Sequence, residues 1–184
     1  MSAVTEIHEE KETLSVDVEI PGHEPRVTTP LFLHSKKALI AREGGCCYIC
    51  GRTAEESSHP LEAHHFPLER SLTNLVDWKR FRRDSEAGVY GEHPKAFDWD
   101  SFFIGAKEET VNLDPSLPAY NFIDPVDPYL FVDDQTVNGL LLCKAHHTGK
   151  GTGIHDLPHP LWLAQKFGKE GYQYTPTEIL HHEG

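Results

Sequence analysis

Cys47-Tyr-Ile-Cys50, Glu62-Ala-His64-His65, Asn138 and Cys143-Lys-Ala-His146-His147 follow one another along a chain of 184 residues. A structural zinc site takes four soft or borderline ligands in a tetrahedron, commonly as two knuckles with two residues between the ligands of each. Cys47 and Cys50, followed by Gly51, make the first knuckle, and Cys143 with His146 makes the second. The spacing predicts a Cys3His zinc site that ties two distant segments together. Cys46 is left over and is expected to pack as a small buried residue, the usual place of a free cysteine.

The histidines divide differently. Adjacent side chains point about 180° apart on a strand and about 100° apart on a helix, so neither His64-His65 nor His146-His147 serves one role twice. With His146 at the knuckle, His147 faces elsewhere, and His64 with His147 is a candidate pair for a second, incompletely coordinated cation. An open coordination position is the mark of a catalytic metal site. His155 is either a further ligand of that ion or a surface histidine, and Glu62 reads as a solvent-facing strand residue.

The elements around these residues follow from pattern. Ser35 is expected to cap a short helix over 36–42, ended by Gly44-Gly45 just before the cysteines. Leu68, Leu72, Leu75 and Val76 recur as the apolar face of an amphipathic helix between Pro67 and Asp84, with a basic end, Lys79-Arg80-Phe81-Arg82-Arg83. Leu140-Leu-Leu142 reads as a buried strand, residues 161–167 as a closing helix, and residues 14–20 alternate as a strand does. Trp78, Trp99 and Trp162 are expected in the core rather than as base-stacking platforms.

Length allows one compact domain. An acidic leader, 1–30, precedes a single domain, 31–184, with an insertion at 84–134. No stretch is apolar enough to span a bilayer, and a cytoplasmic protein is expected, in which the cysteines serve as ligands rather than disulfides. The net charge of −12 argues against nucleic acid only until it is divided. Residues 84–134 carry twelve acids and two bases, whereas 35–83 carry six acids and nine bases. Acidity therefore lies outside the segments that bear the motifs. The insertion is also rich in aromatics, which disordered segments usually lack, so it is expected to be ordered.

In order and spacing, Arg42-Glu-Gly-Gly-Cys-Cys47-Tyr-Ile-Cys50-Gly, Leu61-Glu-Ala-His64-His65-Phe-Pro and Asn138-Gly-Leu-Leu-Leu-Cys143-Lys-Ala-His146-His147-Thr-Gly-Lys150 resemble the HNH endonucleases. The close likeness covers blocks 36–67 and 136–150. Residues 153–162 are similar, less closely, to the tails of small phage-type members. The resemblance implies an α+β fold with a zinc-stabilised ββα-metal (treble-clef) core, carrying here a long acidic insertion. It implies that His64 and His147 bind a catalytic divalent cation (Mg2+, Mn2+ or a late transition metal), that His65 is the general base, and that Asn138 orients the hairpin and the base. The activity implied is hydrolysis of DNA to 5′-phosphate and 3′-hydroxyl ends.

Departures from the family pattern leave other readings open. The stretch between His65 and Asn138 is far longer than in simple members, and His146 stands where many have cysteine. Asn138-Gly139 is also a strong signal for a tight hairpin turn. Lys79, Arg80, Arg82 and Arg83 are either a phosphate-contacting patch or a solvated helix end. The alternative function is a non-catalytic zinc-stabilised module whose acidic insertion docks a protein or mimics DNA. A regulatory partner on that insertion is compatible with either function.

Overall fold

A computed structural model of the chain describes residues 28–112, 115–116 and 118–167. The expected strand at 14–20, nearly all of the acidic leader and the His181-His182 pair lie outside them. The architecture is mixed α+β, with two small two-stranded sheets.

Helix α1 spans Pro30–Arg42 and begins earlier than Ser35. Thr29 is its N-cap, its hydroxyl accepting from Phe32 N at 3.1 Å, and Pro30 takes the first helical position, where no N–H is missed. Ser35 is instead buried inside the helix, its hydroxyl 2.7 Å from the Leu31 carbonyl and 3.0 Å from that of Asp133. Gly44 and Gly45, both left-handed, end the helix as expected. From its last turn Arg42 donates to the carbonyls of Thr136 and Gly139, both at 2.7 Å.

Strand β1 (Glu62–His65) lies between the cysteine knuckle and the insertion. The helix predicted between Pro67 and Asp84 is two pieces, a 3-10 turn at Arg70–Leu75 and helix α2 at Trp78–Glu86. Two competing contacts explain the break. The backbone N–H and carbonyl of Leu68 bond to the Asn138 side chain instead of to a helical ladder, and Asp77 caps α2 by accepting from Arg80 N. The buried face of α2 is Trp78, Phe81 and Ser85, while Leu72 and Leu75 are exposed.

The insertion is built from short elements, α3 (Glu92–Lys95), α4 (Trp99–Phe102), a hairpin of β2 (Lys107–Val111) with β3 (Tyr120–Asp124), and α5 (Tyr129–Val132). It closes an aromatic core together with Leu68 and α2. Phe131 is fully buried, and its ring centroid lies 5.1 Å from those of Phe97 and Trp99 and 5.2 Å from that of Phe81. Leu68, Trp78, Phe102 and Val132 complete that core.

Strand β4 (Gly139–Leu142) follows, then α6 (Lys144–Thr148) and α7 (His159–Ala164), which starts and ends before the predicted closing helix. β4 pairs antiparallel with β1, Glu62 opposite Leu142 and His65 opposite Gly139. Leu140, Leu141 and Leu142 form the second core with Leu39, Ile49, Leu61 and Trp162. All three tryptophans are buried as expected. No described helix is long and apolar enough to cross a membrane.

Candidate functional site

The first knuckle folds on itself and then onto β4. Cys47 N donates to Arg52 O and Gly51 N to Cys47 O, each at 2.8 Å, and Tyr48 N donates to Leu141 O at 2.7 Å. That last bond brings the knuckle beside the strand that runs into Cys143. Cys143 caps α6, and its carbonyl accepts from His146 N and His147 N, both at 3.0 Å. Cys47, Cys50, Cys143 and His146 thereby form a Cys3His cluster able to hold a metal ion, with all four ligand atoms within 4.8 Å of one another.

Individual edges agree with a shared ion. Cys50 Sγ and Cys143 Sγ are 4.0 Å apart, and His146 Nδ1 is 3.8 Å from Cys47 Sγ and 3.1 Å from Cys143 Sγ. Zinc–sulfur bonds of ~2.3 Å in a tetrahedron give ligand separations of ~3.8 Å. Burial opposes ionisation of Cys47, yet the His146 bond and nearby backbone N–H groups outweigh it and bring the thiol down to about 6. Burial pushes Cys50 up to about 12 and raises Cys143 as well. Cys46 stays out of the cluster and is half-buried rather than buried, its thiol 3.4 Å from the Gly44 carbonyl.

The remaining histidines converge on a second place. His64, His147 and His155 bring ligand nitrogens within 4.8 Å of one another. His155 arrives because the chain after α6 folds back, with Ile154 N on His146 O and Trp162 Nε1 donating to the same carbonyl. His147 Nε2 and His155 Nε2 are 3.3 Å apart. Two imidazoles bound at ~2.0–2.1 Å to one tetrahedral ion are separated by about that distance. A cleft of ≈ 280 Å³ opens over them, lined by His64, His65, Glu69, His147, Thr148 and His155.

Two carboxylates hold these rings, and sequence reasoning missed both. Glu62 is solvent-facing as expected and in neither ligand cluster, yet it also accepts a hydrogen bond from His147 Nδ1, which makes it a partner of the site. The signal was available, because residues i and i+2 of a strand share a face and Glu62 stands two before His64. Glu69 Oε1 lies 3.2 Å from His64 Nε2, a contact made by the turn after β1 that nothing in the pattern announces.

His65, next to His64 on β1, lines the same cleft and packs toward Asp133 and Phe32. It is buried, its Nε2 is 3.7 Å from Asp133 Oδ1, and its ring lies 5.8 Å from that of Phe32. Asn138 is fully buried and binds backbone: Oδ1 accepts from Leu68 N, and Nδ2 donates to the carbonyls of Leu68 and Val132, each at 2.9 Å. Its backbone carbonyl accepts from Phe66 N at 3.3 Å, at the end of β1. Asn138-Gly139 is not the two-residue hairpin turn its sequence suggested, since Gly139 opens β4 and pairs with β1. Glycine is needed there for closeness, because a Cβ would stand 2.5 Å from the Gln135 carbonyl oxygen.

Lys79, Arg80, Arg82 and Arg83 lie on α2, amid acids. Arg82 bonds Glu86 at 2.8 Å and Asp100 at 2.6 Å, Arg83 bonds Asp84 at 2.7 Å, and Arg80 is 3.9 Å from Asp84. Comparison with protein-family models, curated proteins and solved structures finds no match to the chain.

Proposed function

We propose that the chain is an HNH-type, metal-dependent endonuclease that hydrolyses DNA phosphodiester bonds. One observation carries the reading: His64, His147 and His155 converge at ligand distance in a cleft that His65 also lines. The order of knuckle, β1, β4 and α6 around that cleft supports a ββα-metal core. The Cys3His cluster is then the structural zinc site, and the three histidines hold the catalytic divalent cation.

Three imidazoles suit a late transition ion better than Mg2+, which prefers oxygen ligands. When bound there, such an ion supplies Lewis-acid stabilisation of charge on the scissile phosphate and the departing 3′ oxygen. The residues supply the rest. Glu62 and Glu69 fix the orientation of His147 and His64, and a carboxylate partner of this kind raises the basicity of a ligating imidazole. His65 accepts the proton of the attacking water. Asn138 clamps the chain just after β1, at Phe66 and Leu68, to the turn before β4. Lys79 and the arginines of α2 are the candidate phosphate contacts, where DNA has to displace Asp84, Glu86 and Asp100 from Arg82 and Arg83.

That neutralised arginine set favours the second reading, a non-catalytic zinc module with an acidic docking surface. Plasmid cleavage separates the two. The zinc-loaded chain is expected to nick or cut plasmid with Ni2+, Co2+, Zn2+ or Mn2+, and His65→Ala to lower the rate by ~10²–10⁴, the usual contribution of a general base. Equal rates for parent and variant, or no cutting with any ion, would remove the nuclease reading.

A further inference from the structure

We propose that Asp133, a buried carboxylate delivered by the acidic insertion, is a positioning residue for His65. It fixes the imidazole as the Nε2–H form and leaves the lone pair on Nδ1. The proposal rests on the nuclease reading for its catalytic purpose and on geometry alone for the pair itself.

Asp133 follows the last residue of α5 and is 2 % exposed. A carboxylate buried to that degree must be paired. Its Oδ1 accepts from Arg70 Nη1 at 2.5 Å and its Oδ2 from Thr29 Oγ1 at 3.0 Å. Arg70 is itself held, its guanidinium 4.0 Å over the Tyr129 ring. The oxygen that Arg70 fixes is the one that His65 Nε2 faces, at 3.7 Å, with both side chains buried.

A neutral imidazole has one N–H and one lone pair, and a carboxylate only accepts, so the nitrogen facing Asp133 is the protonated one. The separation is longer than a hydrogen bond, and catalytic contacts of this kind tighten when substrate binds. The segment is also fixed along its backbone. The Asp133 carbonyl lies 3.0 Å from Ser35 Oγ, and the Asp134 carbonyl accepts from Asn138 N at 2.8 Å. The insertion is thus tied to the candidate base as well as to the asparagine.

In the reaction, a water oxygen forms the new bond to phosphorus as the bond to the 3′ oxygen breaks. The water's proton passes to His65 Nδ1, and solvent protonates the 3′ oxygen. Asp133 balances the positive charge that His65 gains. Substrate binding does not involve Asp133, so its loss acts on turnover.

The test uses the full zinc-loaded chain labelled with 15N-histidine, with His65 assigned by its absence in His65→Gln. Two-bond 1H–15N correlation spectra at pH 8 are expected to show His65 as a single Nε2–H tautomer. Arg70→Met with Asp133→Leu removes acceptor and guanidinium together, so no buried charge is stranded. In that double variant the tautomers should average, and kcat on plasmid should fall ~10–100-fold with KM unchanged, the usual loss for an outer-shell partner. A wild-type His65 in the Nδ1–H form, or a double variant with the parent's spectrum and kcat, overturns the proposal. Should the double variant fail to fold, the wild-type tautomer decides. A chain that cuts no DNA yet shows the fixed Nε2–H form supports the pair and overturns the nuclease reading.

Discussion

Glu62 on β1 accepts a hydrogen bond from His147 Nδ1 on α6, and so turns His147 Nε2 toward His155. The contact joins the strand and the helix that together carry the candidate cation ligands. Metal-bound histidines usually donate their second nitrogen to such a partner, and losing it costs ~10–100-fold in affinity or activity. Glu62→Gln is therefore expected to weaken binding of Ni2+ or Mn2+ at the histidine site by ~10–100-fold. Zinc at the Cys3His cluster should stay stoichiometric, because Glu62 is not one of its four ligands. Titration calorimetry of the zinc-loaded chain reads the first, and metal analysis reads the second. Unchanged affinity would make Glu62 a bystander.

Zinc loading should release protons in a number set by the cluster's own thiols. Cys47, lowered to about 6, is a thiolate at pH 7.5, whereas Cys50, raised to about 12, and Cys143, also raised, are thiols. Ligands bind zinc deprotonated, so binding expels about two thiol protons, and affinity rises with pH across the neutral range. The sign follows from the raised groups, whose protons compete with the metal until pH approaches their folded values. Calorimetry at pH 7.5 in buffers of different ionisation enthalpy counts the protons. About three thiol protons would show that Cys47 is protonated in the metal-free chain.

The two kinds of site were unequally legible. The Cys3His cluster could be read from spacing, because a knuckle is a local object and zinc accepts few ligand types. His155 and His64 were named as candidates, but only the return of the chain after α6 brings His155 beside His147. Asp133 could not have been found, since a carboxylate in a −10 segment looks like every other acid there until the fold buries one of them. The single helix expected between Pro67 and Asp84 breaks for a tertiary reason. Asn138, distant in sequence, takes the Leu68 backbone groups that a helix would have used.

Asn138 should prove a structural fastener. Asn138→Ala strands the N–H and carbonyl of Leu68 and the carbonyl of Val132, all buried with the side chain that now serves them. The expected loss is about 2–4 kcal/mol in urea unfolding of the zinc-loaded protein. Asn138→Asp keeps the acceptor for Leu68 N but sets a carboxylate oxygen against two carbonyls, so it should destabilise comparably. Either variant matching the parent's midpoint would contradict the clamp.

Phe131 tests whether the insertion and the zinc core fold as one. Its ring is surrounded by Trp78, Phe81, Phe97 and Trp99, and none of these belongs to the cluster of Leu39, Leu140–Leu142 and Trp162. Phe131→Ala in a close-packed site costs ~3–5 kcal/mol, concentrated in the core that the insertion closes. Limited proteolysis is expected to cut first within 84–134, while zinc content holds at one equivalent per chain. Asp133, two residues beyond, would lose its fixed place, so cleavage of DNA should fall even in the fraction that retains zinc. Simultaneous loss of zinc and of protease resistance would show instead that the insertion is part of the same cooperative unit.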